Sequence, residues 1–180
     1  MPIGRGLAVF LLLLASCICS SLSGSAQTAA EKDWERMSAT LERLNVGLPM
    51  NAAGRAAVLH SLEVLGCEPC DQDAIAELGK ALQNTGHRRD AATAHVRFSQ
   101  TCNGHAPSLR AAVNILLTLS DHTKAAEIAS DLIKLEPFDD NGYYLRALAY
   151  ERGDLPKKAI DDYVTAIELF GDKDKIANVA

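Results

Sequence analysis

Three cysteines and a histidine carry the densest potential chemistry in this sequence: Cys67, Cys70, Cys102 and His105. Cys67-Glu68-Pro69-Cys70 has the Cys-x-x-Cys spacing of a dithiol redox centre, with proline before the second cysteine. A helix beginning near Asp71 would make a thiol there more acidic. Cys102-Asn103-Gly104-His105 adds a Cys-x-x-His pair, and the four side chains together match the donor set of a tetrahedral zinc site. In an oxidising compartment the same cysteines pair instead. Cys70–Cys102 is the pairing expected first and Cys67–Cys102 the next. Closing a loop of about 30 residues contributes on the order of 3–4 kcal/mol in the chain-entropy model.

The remaining polar residues form no reaction centre by spacing. His60, His87, His95, His105 and His122 stand in no recognisable Ser-His-Asp order. His87 and His122 fall in turns and are expected to be solvated. The acidic pairs Asp139-Asp140, Asp161-Asp162 and Asp172-x-Asp174 read as a helix cap, an exposed helix face and a turn. They lack the alternating oxygen ligands and distal glutamate of a calcium loop. No glycine-rich phosphate loop is present. The expectation is a protein with no catalytic residues, no cofactor and no metal.

The elements that hold these residues are helices in a repeating pattern. Ala159, Tyr163 and Ala166 share one helical face, at spacings of three and four. Stepping back by about 34 residues gives Ala125, Ala129 and Leu132, and stepping back again gives Ala91, His95 and Phe98. The preceding helices carry Tyr143, Ala147 and Tyr150 in the last unit, and Ile75, Leu78-Gly79 and Leu82 in the first. A small residue at 91, 125 and 159 lets the two helices of a hairpin approach closely. A weaker phase lies upstream, with Ala57 and Val64, and an apolar stripe of Trp34, Met37, Leu41 and Leu44 before it. Cys67-Glu68-Pro69-Cys70 takes the same phase as Leu135-Glu136-Pro137-Phe138, an inter-repeat turn.

These motifs resemble the tetratricopeptide repeat, over roughly residues 38–171. The resemblance implies an all-α fold, an α-solenoid of antiparallel helix hairpins with three clear repeats and a degenerate N-terminal hairpin. Residues 27–70 would form the capping hairpin, and 71–105, 106–139 and 140–171 the three repeats. Residues 172–180 read as a turn and the start of a further or capping helix. The last repeat departs from the pattern in two ways. Arg146 takes a partly buried position, so its guanidinium must reach water or a carboxylate. The turn around Gly153 and Pro156 is expected to be altered.

In the family that these repeats resemble, the first helices line a concave ligand surface. By phase, its lining here is Asp73, Ala76, Lys80 and Gln83, then Arg110, Asn114 and Leu117, then Tyr144, Leu148 and Glu151. Tyr144 and Arg110 are the residues types most enriched among binding hot spots. Ala76 stands where the clamp for a chaperone's C-terminal carboxylate would need lysine, so that partner is not expected.

The N-terminus reads as an export signal: Arg5, a short apolar run from Leu7 to Leu14, then small residues. The run is too short to span a membrane. Gly24-Ser25-Ala26 suits cleavage after residue 26, giving a signal peptide of residues 1–26. Leu14-Ala15-Ser16-Cys17 resembles a bacterial lipobox and offers a lipid anchor at Cys17 instead, the one route to a membrane. The formal charge is −5 and aromatics are 5% of the chain. No basic patch interleaved with aromatics appears, so nucleic acid is not the expected partner. The reading is an exported scaffold, periplasmic or lipid-anchored in the bacterial envelope, that binds a protein or peptide on its concave face. The alternative is a regulatory or substrate-presenting N-terminal module of a larger exported hydrolase, such as a retropepsin-like aspartic protease. No Asp-Thr-Gly or Asp-Ser-Gly is present to supply that chemistry.

Overall fold

The computed structural model describes residues 52–177; residues 1–26, read above as an export signal, Cys17 among them, and the stripe from Trp34 to Leu44 lie outside them. Within the described residues the chain forms helices in succession: α1 (Ala52–Cys67), α2 (Gln72–Asn84), α3 (Arg88–Thr101), α4 (Ala106–Thr118), α5 (His122–Leu135), α6 (Asp140–Arg152) and α7 (Pro156–Ala177). Each packs on the next in sequence, and α4 also touches α6. This is a tetratricopeptide-like α-solenoid. The α4–α6 contact skips a helix, so the first helices of successive hairpins gather on the inner side of the curve. The second helices α3, α5 and α7 take the outer side.

Packing follows the repeat phase. Ala91, Ala125 and Ala159 are buried where the hairpin helices cross, and Phe98, Leu132 and Ala166 close the same face. Leu78, Leu82, Ala112, Val113 and Leu116 fill the spaces between hairpins. No hairpin encloses its own core, so each is stabilised through its neighbours.

The turns inside the repeats are copies of one another. Gly86, Ser120 and Asp154 all adopt positive φ, at 88°, 58° and 58°. The following amides of His87, Asp121 and Leu155 donate back to the carbonyls of Leu82, Leu116 and Tyr150, at 2.8, 3.0 and 2.9 Å. Each is the six-to-one bond of a Schellman motif. The altered turn expected in the last repeat is therefore not found. Gly153 keeps a negative φ of −93° as the cap residue, and Asp154, one residue later, takes the left-handed position. Aspartate tolerates that conformation better than most non-glycine residues.

The turn expected at Asp172–Lys175 is also absent, because α7 continues to Ala177. No proline interrupts that stretch, and Gly171 is not among the residues with positive φ. The outer face of α7 carries an exposed apolar row of Ile160, Val164, Ile167 and Phe170, opposite the face that packs on α6. No described helix is long and apolar enough to cross a membrane.

Candidate functional site

The cysteines resolve first. Asp71 caps α2 by accepting from the Ala74 amide at 2.7 Å, which places Cys70 just before the helix. Cys102 follows α3 directly. Because α2 and α3 are antiparallel, these two ends meet at one edge of the solenoid. Cys70 and Cys102 form a disulfide, with Cα atoms 5.6 Å apart. The four-donor zinc arrangement loses two ligands to this bond, and the Cys67–Cys102 pairing is excluded. Cys67 is exposed and stands outside the bridge.

His105 has a different role from the one its spacing suggested. Its backbone amide donates to Ser99 Oγ at 2.8 Å, and its Nδ1 lies 2.8 Å from Ser108 Oγ. Ser108 Oγ is also 3.4 Å from Nδ1 of His95. The His105 ring packs edge-on against Phe98, 5.1 Å between centroids. The result is a polar seam between the first and second repeats. Burial lowers the pKa of His105. Burial, followed by the charge of His105, pushes that of His95 down to about 4. A neutral imidazole fits this enclosed position.

On the inner face, Asp73, Ala76, Lys80 and Gln83 are exposed along α2, and Asn114 is exposed on α4. Tyr144 is 46% exposed on α6, beside half-buried Leu148 and exposed Glu151. Two of the expected lining residues differ. Leu117 is only 5% exposed; it belongs to the core, because its position on α4 turns toward the neighbouring helices. Arg110 is half-buried and paired with both Glu136 and Asp139, the latter at 2.8 Å. The inter-repeat turn after α5 supplies these two carboxylates, so the cation is already answered within the protein.

The phase pattern did not mark Tyr163 as part of this face. Its ring lies 6.0 Å from that of Tyr144, and its hydroxyl donates to Glu151 at 2.6 Å. Burial, reinforced by the Glu151 bond, pushes its pKa up to about 12. The phenol stays protonated and acts as a donor. Tyr144, Tyr163 and Glu151 form an aromatic shelf with a carboxylate edge at the last repeat. The signal was available, since Tyr163 is a polar-tipped aromatic at a position that alanine and histidine fill in the other repeats.

Three further expectations are corrected. His87 is 6% exposed rather than solvated, because the Schellman turn folds it under the hairpin, with Nδ1 3.4 Å from Asp90. His122 is half-buried at the start of α5. Asp162 is not on an exposed face but 7% exposed. It accepts from Nε and Nη2 of Arg146, at 2.7 and 2.8 Å. Arg146 also donates to Ser130 at 3.2 Å. The hydrogen bond to Asp162 raises the Arg146 pKa further.

No protein-family model matches this sequence, and no curated protein matches it either. Solved structures do match in fold. The chain is similar to MamA 41-end from Desulfovibrio magneticus RS-1, at 22% identity and a TM-score of 0.53, over 80% of this chain and 77% of that one. A crystal structure of MamA aligns at 19% identity and a TM-score of 0.58, over 84% of this chain and 99% of that one. At these identities the likeness is one of fold.

Proposed function

We propose that this chain is an exported scaffold of the bacterial cell envelope that holds a protein or peptide on the inner face of its solenoid. The observation that carries this reading is Tyr144, 46% exposed on the inner face and backed by the half-buried ring of Tyr163, 6.0 Å away. Tyrosine offers a large, rigid contact area and a polar tip, which is why it recurs at binding hot spots. Lys80, Gln83 and Asn114 extend the same face with donors suited to peptide carbonyls and carboxylates. The MamA-like fold supports the reading in kind, since helical-hairpin solenoids present extended concave surfaces.

Export rests on the sequence of residues 1–26, and the Cys70–Cys102 disulfide supports an oxidising destination. Ordinary cleavage after residue 26 would leave the protein soluble in the periplasm, and lipidation of Cys17 would tether it.

Affinity capture from native envelope extracts tests the proposal, with the mature chain as bait beside a Lys80→Ala, Tyr144→Ala double variant. The expected result is a discrete partner retained by the parent and lost by the variant. Retention by both would overturn the assignment of the inner face.

A further inference from the structure

Each second helix of the solenoid has two packing faces. One meets the first helix of its own hairpin, and the other meets the first helix of the next. The latter face recurs with the period. On α3 it holds Ala92, Val96 and Ser99, and on α5 Ala126, Ser130 and Ile133, all buried or half-buried. Ser99 Oγ accepts from the His105 amide at the start of α4, at 2.8 Å. Ser130 accepts from Arg146 of α6 at 3.2 Å. Ile133 lies so close to α6 that a Cβ on Gly142 would stand 2.9 Å from its Cγ1.

One period on, the same face of α7 holds Ile160, Val164 and Ile167. Ile160 is 60% exposed and Ile167 71%, with Val164 and Phe170 also exposed. No first helix follows α7 among the described residues. Ile160 stands where α3 and α5 carry alanine, and no member of the row is polar. A terminal helix that only capped the solenoid would turn a polar face outward. The row is instead a repeat-to-repeat interface in position and composition, without the helix that covers it elsewhere.

The charged border of the row indicates its occupant. Lys157, Asp161 and Glu168 are exposed along one edge of it, at helical spacing. Lys157 and Glu168 are separated by about 16 Å along the helix axis, too far to pair within one copy. Two α7 helices packed antiparallel about a two-fold axis bring the same border of each together. Ile160 of each copy then faces Ile167 of the other, with Val164 near the axis. Lys157 of each comes within side-chain reach of Glu168 of the other. The surface is thus self-complementary, as an isologous interface requires. We propose that this row is a homodimer interface, in which α7 packs antiparallel on α7 of a second copy of the chain. The second copy takes the place of the next repeat's first helix. This interface is separate from the inner face and does not rest on what the inner face binds.

Sedimentation velocity on the purified full-length chain, over a wide range of concentration, tests this. The expected result is a reversible monomer–dimer equilibrium. Ile160→Glu, Ile167→Glu should weaken dimerisation at least tenfold, about the effect of placing charge in an apolar contact. Phe138→Ser, which removes an exposed ring elsewhere, should leave it unchanged. Lys157→Glu and Glu168→Lys should each weaken it about threefold, and the two in one chain should restore it. Restoration requires position 157 of one copy to face position 168 of another, which neither a different protein nor a segment of the same chain supplies. Thermal melts establish that each variant is folded, and the charge variants serve if the isoleucine variant is not. A chain that stays monomeric, a dimer indifferent to the folded isoleucine variant, or a charge swap that fails to restore association would each overturn the proposal.

Discussion

The imidazole of His95 occupies the space that a side chain on Gly79 would fill. A Cβ built on Gly79 would stand 2.2 Å from His95 Nε2, far inside van der Waals contact. Glycine in α2 and histidine in α3 are thus one packing decision. The Gly79→Ala substitution should lower stability by about 1–3 kcal/mol through overpacking, despite the better helix propensity of alanine. Urea denaturation measures this. Adding His95→Ala should recover part of the loss, and a strictly additive double variant would contradict the contact.

His95 also makes stability depend on pH. Burial holds its folded pKa at about 4, against the 6.5 of an ordinary histidine. The unfolded chain therefore binds the proton more tightly. The contribution is fully present above about pH 6.5, falls as pH drops, and is lost below about pH 4. This residue alone accounts for up to about 3 kcal/mol across that window. Denaturation midpoints from pH 7 to pH 4 should fall more steeply for the parent than for His95→Gln. Parallel curves would exclude His95 as the source.

The Arg146–Asp162 pair replaces an apolar contact of the other repeats. One period earlier the same positions hold Ala112 and Ile128, and two periods earlier Leu78 and Ala94, all buried. Arg146→Ala should cost about 3–5 kcal/mol by leaving the Asp162 carboxylate buried without its partner. Restoring the apolar pair with Arg146→Leu, Asp162→Ala should be close to neutral or stabilising. A double-mutant cycle in urea gives the coupling, and a coupling near zero would refute the pair's structural role.

Reduction of the Cys70–Cys102 bond should destabilise the chain by about 3–4 kcal/mol, given a sequence separation of 32. Denaturation with and without reductant should show this difference, and the Cys70→Ser, Cys102→Ser variant should match the reduced parent. Insensitivity of the parent to reductant would contradict a stapling role.

Most of the fold was legible because helix packing repeats with the sequence. The alanines at 91, 125 and 159 and the Leu78-Gly79 pair announced the hairpins, and antiparallel helices predicted which cysteines meet. The errors arose where one cue was read without the phase. Gly153 falls one residue short of the phase of Gly86, which reads as an altered turn, whereas the period puts Asp154 in the left-handed position. Asp162 was assigned to solvent together with its neighbour Asp161, although its phase equivalents Ala94 and Ile128 are core residues. Phase offered candidate positions for an inner face but not their chemistry, and it misplaced Leu117, which is buried. Phase alone does not show that carboxylates from the next turn neutralise Arg110, or that Tyr163 leans against Tyr144.

Photo-crosslinking from the inner face tests the central claim most directly. A benzoylphenylalanine replaces Tyr144, and separately Gln83, in the full-length chain, with Ile160 on the outer face of α7 as the comparison site. The account predicts the same covalent partner from positions 83 and 144 and none of it from position 160. Crosslinks to that partner from position 160 alone, or equally from all three, would contradict an inner-face scaffold.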